Sequence, residues 1–214
     1  MFKKLKTITF ALILSSNLFA LSEGVEYNVL ENPISNSNNS LTEVWSYQCS
    51  HCYLHHNYNT LGLISEKLPN LEIKSLMVKS WGQFGKEMAN LLNYAKYQDE
   101  KNKLSLVDKN SLHHKLASAY FIDLFKNKNT WNNNPDEFYK AGLTLLEISK
   151  KKLEKFIESP EGKYLASVND AADEIANTYG TPAFIVNGKY VINLAHAKSP
   201  QDLIDIIEEL SKLK

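Results

Sequence analysis

Cysteine usage constrains this chain more than any other feature. Among 214 residues there are two cysteines, three apart in Cys49-Ser50-His51-Cys52. A disulfide between them closes a very short loop. Chain-entropy stabilisation grows with loop length, so such a bridge adds little to stability. Redox chemistry explains the pair better than stapling does, and an inert structural disulfide is the bland alternative. Zinc normally takes four ligands, often from two CxxC-like halves. Here His55 and His56 follow on the same short stretch and no second cysteine pair exists. Haem attachment needs His directly after the second cysteine, where Tyr53 stands.

The flanking residues place the pair. Residues 41–47 (LTEVWSY) are rich in β-formers and aromatics and read as a buried strand. From Cys49 onward, apolar positions through Leu68 follow helical spacing until Pro69-Asn70. Cys49 is thus predicted where a strand runs into a helix N-terminus. Unpaired amide N–H groups and the positive end of the helix dipole favour a thiolate there. Cys52, one turn into the helix, is the more buried partner and fits a resolving role. For a thiol lowered from ~8.5 to ~4.5, about 2.5 units count at pH 7, or ~3.4 kcal/mol. That gain for the reduced form is worth roughly 70 mV and makes the disulfide a stronger oxidant.

The N-terminus bears on the redox compartment. Lys3, Lys4 and Lys6 precede a short apolar run over residues 8–14, followed by small or polar residues up to Ala20. This pattern reads as a secretory signal peptide over residues 1–20, with an uncleaved anchor as the alternative. The run is short for a membrane span, which takes ~20 residues. Exported proteins meet an oxidising compartment, where a thiol pair does not stay reduced by default. Lysines and acids balance at 24 each, with no arginine. Removing Lys3, Lys4 and Lys6 leaves 21 basic side chains against 24 acidic ones, a net charge of −3. A nucleic-acid binder would carry a basic excess.

Beyond the cysteines, residues 71–78 read as a second strand and the pattern then turns helical. Helices are predicted over 84–97 and 112–125. After a polar break at 129–134 (NTWNNN), further helices run from Pro135, over 145–164 and over 166–178, with an interruption near 160–162. Strands return at 183–186 and 189–193, joined by Asn187-Gly188, a strong hairpin signal. An amphipathic helix over 201–213 closes the chain. A helical block between two α/β halves reads as an inserted subdomain.

These segments resemble the thioredoxin superfamily and, within it, the DsbA family of bacterial periplasmic thiol oxidases. The resemblance rests on Glu43 six residues before Cys49, on His51-Cys52-Tyr53, on residues 81–86 (WGQFGK), and on residues 180–190 (GTPAFIVNGKY). It covers essentially the whole mature chain. It implies an α/β, thioredoxin-like fold with an inserted all-helical subdomain. Residues 23–80 and 170–214 would form the thioredoxin-like part and 81–169 the insert. Cys49 would form mixed disulfides and Cys52 would be its buried partner. Glu43 would be the carboxylate behind the disulfide. Pro182 would be a cis-proline facing the disulfide, with the Thr181 backbone pairing to an extended substrate. From the residues alone, Glu43 fits a solvated strand position as well, and most X–Pro bonds are trans. His55, His56, His113 and His114 read as packing or surface residues. Lys150, Lys151, Lys152 and Lys155 read as a solvated helix face, and Trp81 and Trp131 as core or docking residues.

The family's common motif has Pro where Ser50 stands and Val where Thr181 stands. Both positions, with His51, tune the redox poise, so a strong but less extreme oxidant is expected. The implied function is a periplasmic thiol:disulfide oxidoreductase that donates its disulfide to reduced exported proteins. The resemblance implies reoxidation by a DsbB-type membrane quinone reductase. A monomer without metal or dissociable cofactor is expected, the redox group being the Cys49–Cys52 disulfide itself. Alternatives are a dedicated oxidase for a few exported clients, an isomerase or reductase, and a non-enzymatic binding protein or chaperone.

Overall fold

The computed structural model describes residues 21–213, so the segment read as a signal peptide lies outside the described residues. The chain opens with β1 (Tyr27–Val29) and β2 (Ser40–Trp45). Two short helices follow, α1 (Ser50–Asn57) and α2 (Thr60–Lys67), and then β3 (Glu72–Met77). Five helices come next: α3 (Gly85–Lys101), α4 (Leu112–Phe125), α5 (Pro135–Leu145), α6 (Lys150–Ile157) and α7 (Pro160–Val168). The chain returns through α8 (Asp170–Tyr179), β4 (Ala183–Val186), β5 (Tyr190–Ile192) and α9 (Pro200–Ser211).

The five strands form one sheet in the order β1-β5-β4-β2-β3. β2 and β3 run parallel, and the other neighbours are antiparallel. This is a thioredoxin-like sheet carrying a helical insertion. Period-two alternation sends Leu41, Phe184 and Val186 to one face, against Ile64 and the apolar side of α9. Val44, Ala183 and Ile185 face the other way, against Ala172, Ile175 and Ala176 of α8. Glu43, an odd-numbered residue of β2, shares its face with Leu41 and Trp45. A third cluster joins Trp45, Tyr47 and Cys52 to the helices of the insert.

The helical block is punctuated by its own sequence. Ser111, Asn134, Ser149 and Ser159 each accept an amide N–H of the helix they precede, and Pro135 and Pro160 stand in first turns. Asn169 ties the block to the sheet. Its side chain accepts from the Met77 amide at 3.0 Å and donates to Asn93 Oδ1 at 2.8 Å. Tyr47 does the same from the sheet side, its hydroxyl accepting from the Phe84 amide at 3.0 Å.

The structure corrects the sequence reading at three places. The single helix expected from Cys49 to Leu68 is two, because Asn59 adopts a left-handed φ of 53°, which a short polar side chain tolerates. The interruption expected near 160–162 is the start of α7, but the later boundaries differ: α6 begins only at Lys150, and α7 runs on to Val168, so the break expected between 164 and 166 falls at Asn169. β1 had no counterpart in the sequence reading; pairing with β5 makes it a strand. No helix among the described residues is long and apolar enough to cross a membrane.

Candidate active site

After Trp45 the chain leaves the sheet and turns directly into α1. The Cys49 amide donates to the Ser46 carbonyl at 3.0 Å, and Tyr53 N–H returns to the Cys49 carbonyl at 3.0 Å. Cys49 is therefore the N-cap of α1, with extended backbone angles. Its side chain performs the cap, because the Cys52 amide donates to Cys49 Sγ at 2.9 Å. Cys49 and Cys52 form a disulfide. Cys49 is partly exposed, whereas Cys52 is 1% exposed. A thiolate on Cys49 would receive that amide hydrogen bond and the helix N-terminal field. Ser50 and His51 lie exposed in the first turn of α1.

The loop before β4 comes up beside the disulfide. The Thr181–Pro182 peptide bond is cis, and the Thr181 carbonyl oxygen lies 3.4 Å from Cys49 Sγ. The sulfur of a disulfide carries no proton, so this is a contact and not a hydrogen bond. Pro182 is buried and Thr181 partly exposed.

Below the disulfide is a cavity of about 40 Å³, bordered by Glu43, Cys52, Ser75 and the rings of His55, His56, His113 and His114, among others. Burial pushes the Glu43 carboxyl up to about 8. Glu43 keeps some accessible surface because one side of it borders the cavity; protein encloses the rest. Burial also lowers the imidazoles, to about 4 at His56 and about 3 at His113. The Lys96 ammonium adds to this at His113, and at His56 so does repulsion from His114 once both rings would be protonated. At neutral pH the site thus holds an uncharged carboxylic acid beside uncharged imidazoles.

Sequence reasoning placed the four histidines in packing roles, and they do pack. Trp45 meets His113 edge-on at 6.2 Å, and His56 lies against Phe121 at 5.3 Å. It missed that they converge beneath the disulfide. The available signal was spacing: His55 and His56 stand three and four residues beyond Cys52, on its helix face. Trp81 bonds Asn177 through its indole N–H at 3.3 Å, and Trp131 is buried in the insert against Phe138 and Tyr120.

No protein-family model matches the chain. Individual relatives do. The thiol:disulfide interchange protein DsbL of Escherichia coli O6:H1 is 31% identical over 207 residues, 95% of this chain and 93% of that protein. The thiol:disulfide interchange protein DsbA of Buchnera aphidicola is 28% identical over 196 residues, 89% of this chain and 85% of that protein. The crystal structure of Salmonella enterica serovar Typhimurium DsbL superposes with a TM-score of 0.85 at 29% identity, covering 91% of this chain and 99% of that one. Similarity at this level along nearly the whole length means that the chain belongs to the DsbA/DsbL family of thiol:disulfide interchange proteins, and its Cys49–Cys52 pair is that of a thiol:disulfide oxidoreductase.

Proposed function

We propose that the protein is a periplasmic dithiol oxidase that donates its Cys49–Cys52 disulfide to reduced exported proteins. The observation that carries this reading is the asymmetry of the pair: an accessible Cys49 whose Sγ accepts the Cys52 amide, and a buried Cys52. A substrate thiolate attacks Cys49 Sγ and breaks the bond to Cys52. Cys52 leaves as a thiolate and takes a proton from the Glu43 carboxylic acid. A second substrate thiolate then attacks the substrate's own sulfur in the mixed disulfide, and Cys49 leaves as a thiolate. The substrate loses two electrons and the protein gains two.

In this reading the Thr181 backbone, beside Cys49, pairs with an extended client segment through main-chain bonds, which tolerate many sequences. Exposed Leu54 on α1 and Tyr58 just past its end offer apolar surface to an unfolded client. Ser50, His51 and Pro182 shape the immediate surroundings of Cys49. Reoxidation falls to a DsbB-type membrane quinone reductase, the protein acts as a monomer, and no dissociable cofactor takes part.

The test is to mix the oxidised protein with a reduced, unfolded disulfide protein and count thiols with time. The reading requires one client disulfide formed per Cys49–Cys52 pair consumed. A client that keeps its thiols while the protein stays oxidised contradicts it.

A further inference from the structure

The cavity shared by Glu43 and Cys52 is bordered by four imidazoles drawn from two helices. His55 and His56 come from α1, and His113 and His114 from the first turn of α4. Each of these residues keeps some accessible surface, His113 being the most deeply enclosed, whereas Cys52 is buried. The histidines therefore span the distance from the buried sulfur to the surface.

They are also held in place. The His56 and His114 rings stack with centroids 4.5 Å apart, and His56 Nε2 lies 2.7 Å from Ser118 Oγ. His55 Nδ1 lies 3.1 Å from Thr60 Oγ1. The buried Asp99 carboxylate accepts the amides of Leu112 and His113 at 2.8 and 2.9 Å, which fixes the turn that presents His113 and His114. The charged and titratable groups facing this cluster are Glu43 from β2, His51 from α1, Lys96 from α3, and Asp108 and Lys109 from the loop before α4. A neutral imidazole accepts a proton at one nitrogen and releases one from the other.

We propose that these histidines carry the proton that Glu43 exchanges with solvent each time the Cys49–Cys52 bond breaks or closes. The inference rests on the reading of Glu43 as the proton partner of Cys52. When a substrate thiolate breaks the disulfide, the Cys52 thiolate takes the Glu43 proton. The buried carboxylate left behind then takes a proton from solvent through the imidazoles. In reoxidation, once Cys49 is in a mixed disulfide with the oxidant, the Glu43 acid first releases its proton to solvent by the same route, and the resulting carboxylate takes the Cys52 thiol proton. The Cys52 thiolate attacks Cys49 Sγ, the oxidant's sulfur leaves as a thiolate, and Glu43 is again the carboxylic acid. The histidines are positioning residues for this exchange and do not touch the substrate.

A relay speeds both directions by one factor and leaves the equilibrium constant untouched. A packing or electrostatic role would shift that constant. The experiment measures reduction of the oxidised full chain by reduced glutathione and its reoxidation by glutathione disulfide, by acid quench and alkylation, from pH 5 to pH 8. It is run on wild type, Glu43→Gln, His56→Gln, His114→Gln and the histidine double variant, beside the equilibrium constant with glutathione. We expect the double variant to lose at least about tenfold in both directions, by equal factors, with the constant unchanged. If Glu43→Gln is slow but the histidine variants match wild type at every pH, the relay is overturned and the Glu43 reading stands. If Glu43→Gln runs at the wild-type rate, both fall. Slowing that moves the equilibrium constant by a matching factor also overturns the relay. Should the double variant not fold, the single variants and Ser118→Ala, which removes the hydroxyl partner of His56, carry the same comparison.

Discussion

The Cys52 amide donates to Cys49 Sγ across 2.9 Å, so the more exposed sulfur of the pair is the N-terminal cap of its own helix. Its partner sulfur, one turn on, is sealed among Trp45, Tyr47 and the helices of the insert. One helix therefore gives two chemically identical residues different surroundings.

That difference predicts opposite consequences for two conservative substitutions. Cys49→Ser should abolish disulfide transfer, because no sulfur remains for a substrate to attack. Cys52→Ser should keep the nucleophile but lose the resolving thiol, so covalent adducts with reduced clients accumulate. Non-reducing electrophoresis of each variant after incubation with clients reads this directly. Turnover by Cys49→Ser at the wild-type rate would reverse the assignment.

Stability of the oxidised protein should peak near pH 6.5. Glu43 keeps its proton up to about 8 when folded, against an ordinary 4.5. Across that range the unfolded chain has released the proton, so stability falls as pH rises, by up to about 1.4 kcal/mol per unit. His56 and His113 move the other way. Folded they stay neutral down to about 4 and about 3, whereas unfolded they protonate near 6.5. Below pH 6.5 the unfolded chain binds two protons that the folded protein refuses, and these outweigh the single Glu43 contribution. Urea unfolding from pH 4 to pH 8 should show both limbs. Glu43→Gln should flatten the alkaline limb, and His56→Gln with His113→Gln the acid limb. A stability that rises steadily from pH 6.5 to pH 8 in the wild type is incompatible with the enclosed carboxyl.

The sheet and the insert should separate more readily without Asn169. Its side chain is 6% exposed and holds the Met77 amide on one side and Asn93 on the other. Asn169→Ala leaves both of those buried groups unpaired, which costs about 2–4 kcal/mol in all. Denaturant unfolding measures it, and a loss below about 0.5 kcal/mol would show that another partner replaces the amide.

Much of this architecture was legible in the sequence where local chemistry decides the backbone. Asn187 and Gly188 both take positive φ in the hairpin, 54° and 67°, as their side chains permit. α4 occupies the predicted span because Ser111 caps its start. What the sequence did not carry was set by distant packing. β1 is three residues long, too short for an alternation signal, and exists through its pairing with β5. Alternation put Glu43 on the face of Leu41 and Trp45, but its enclosure depends on α1 and on α4, some seventy residues further on. The histidine cluster is hidden for the same reason, since two pairs that look like ordinary helix residues meet only when α1 docks on α4.

The central claim is that the Cys49–Cys52 disulfide is a donor. Its reduction potential, measured by equilibration in a graded glutathione series with Trp45 fluorescence as the reporter, tests this most directly. A value well above about −180 mV is predicted, because the capped Cys49 thiolate stabilises the reduced form. A value near or below about −230 mV would mean that the pair prefers to stay oxidised, and would contradict the oxidase account.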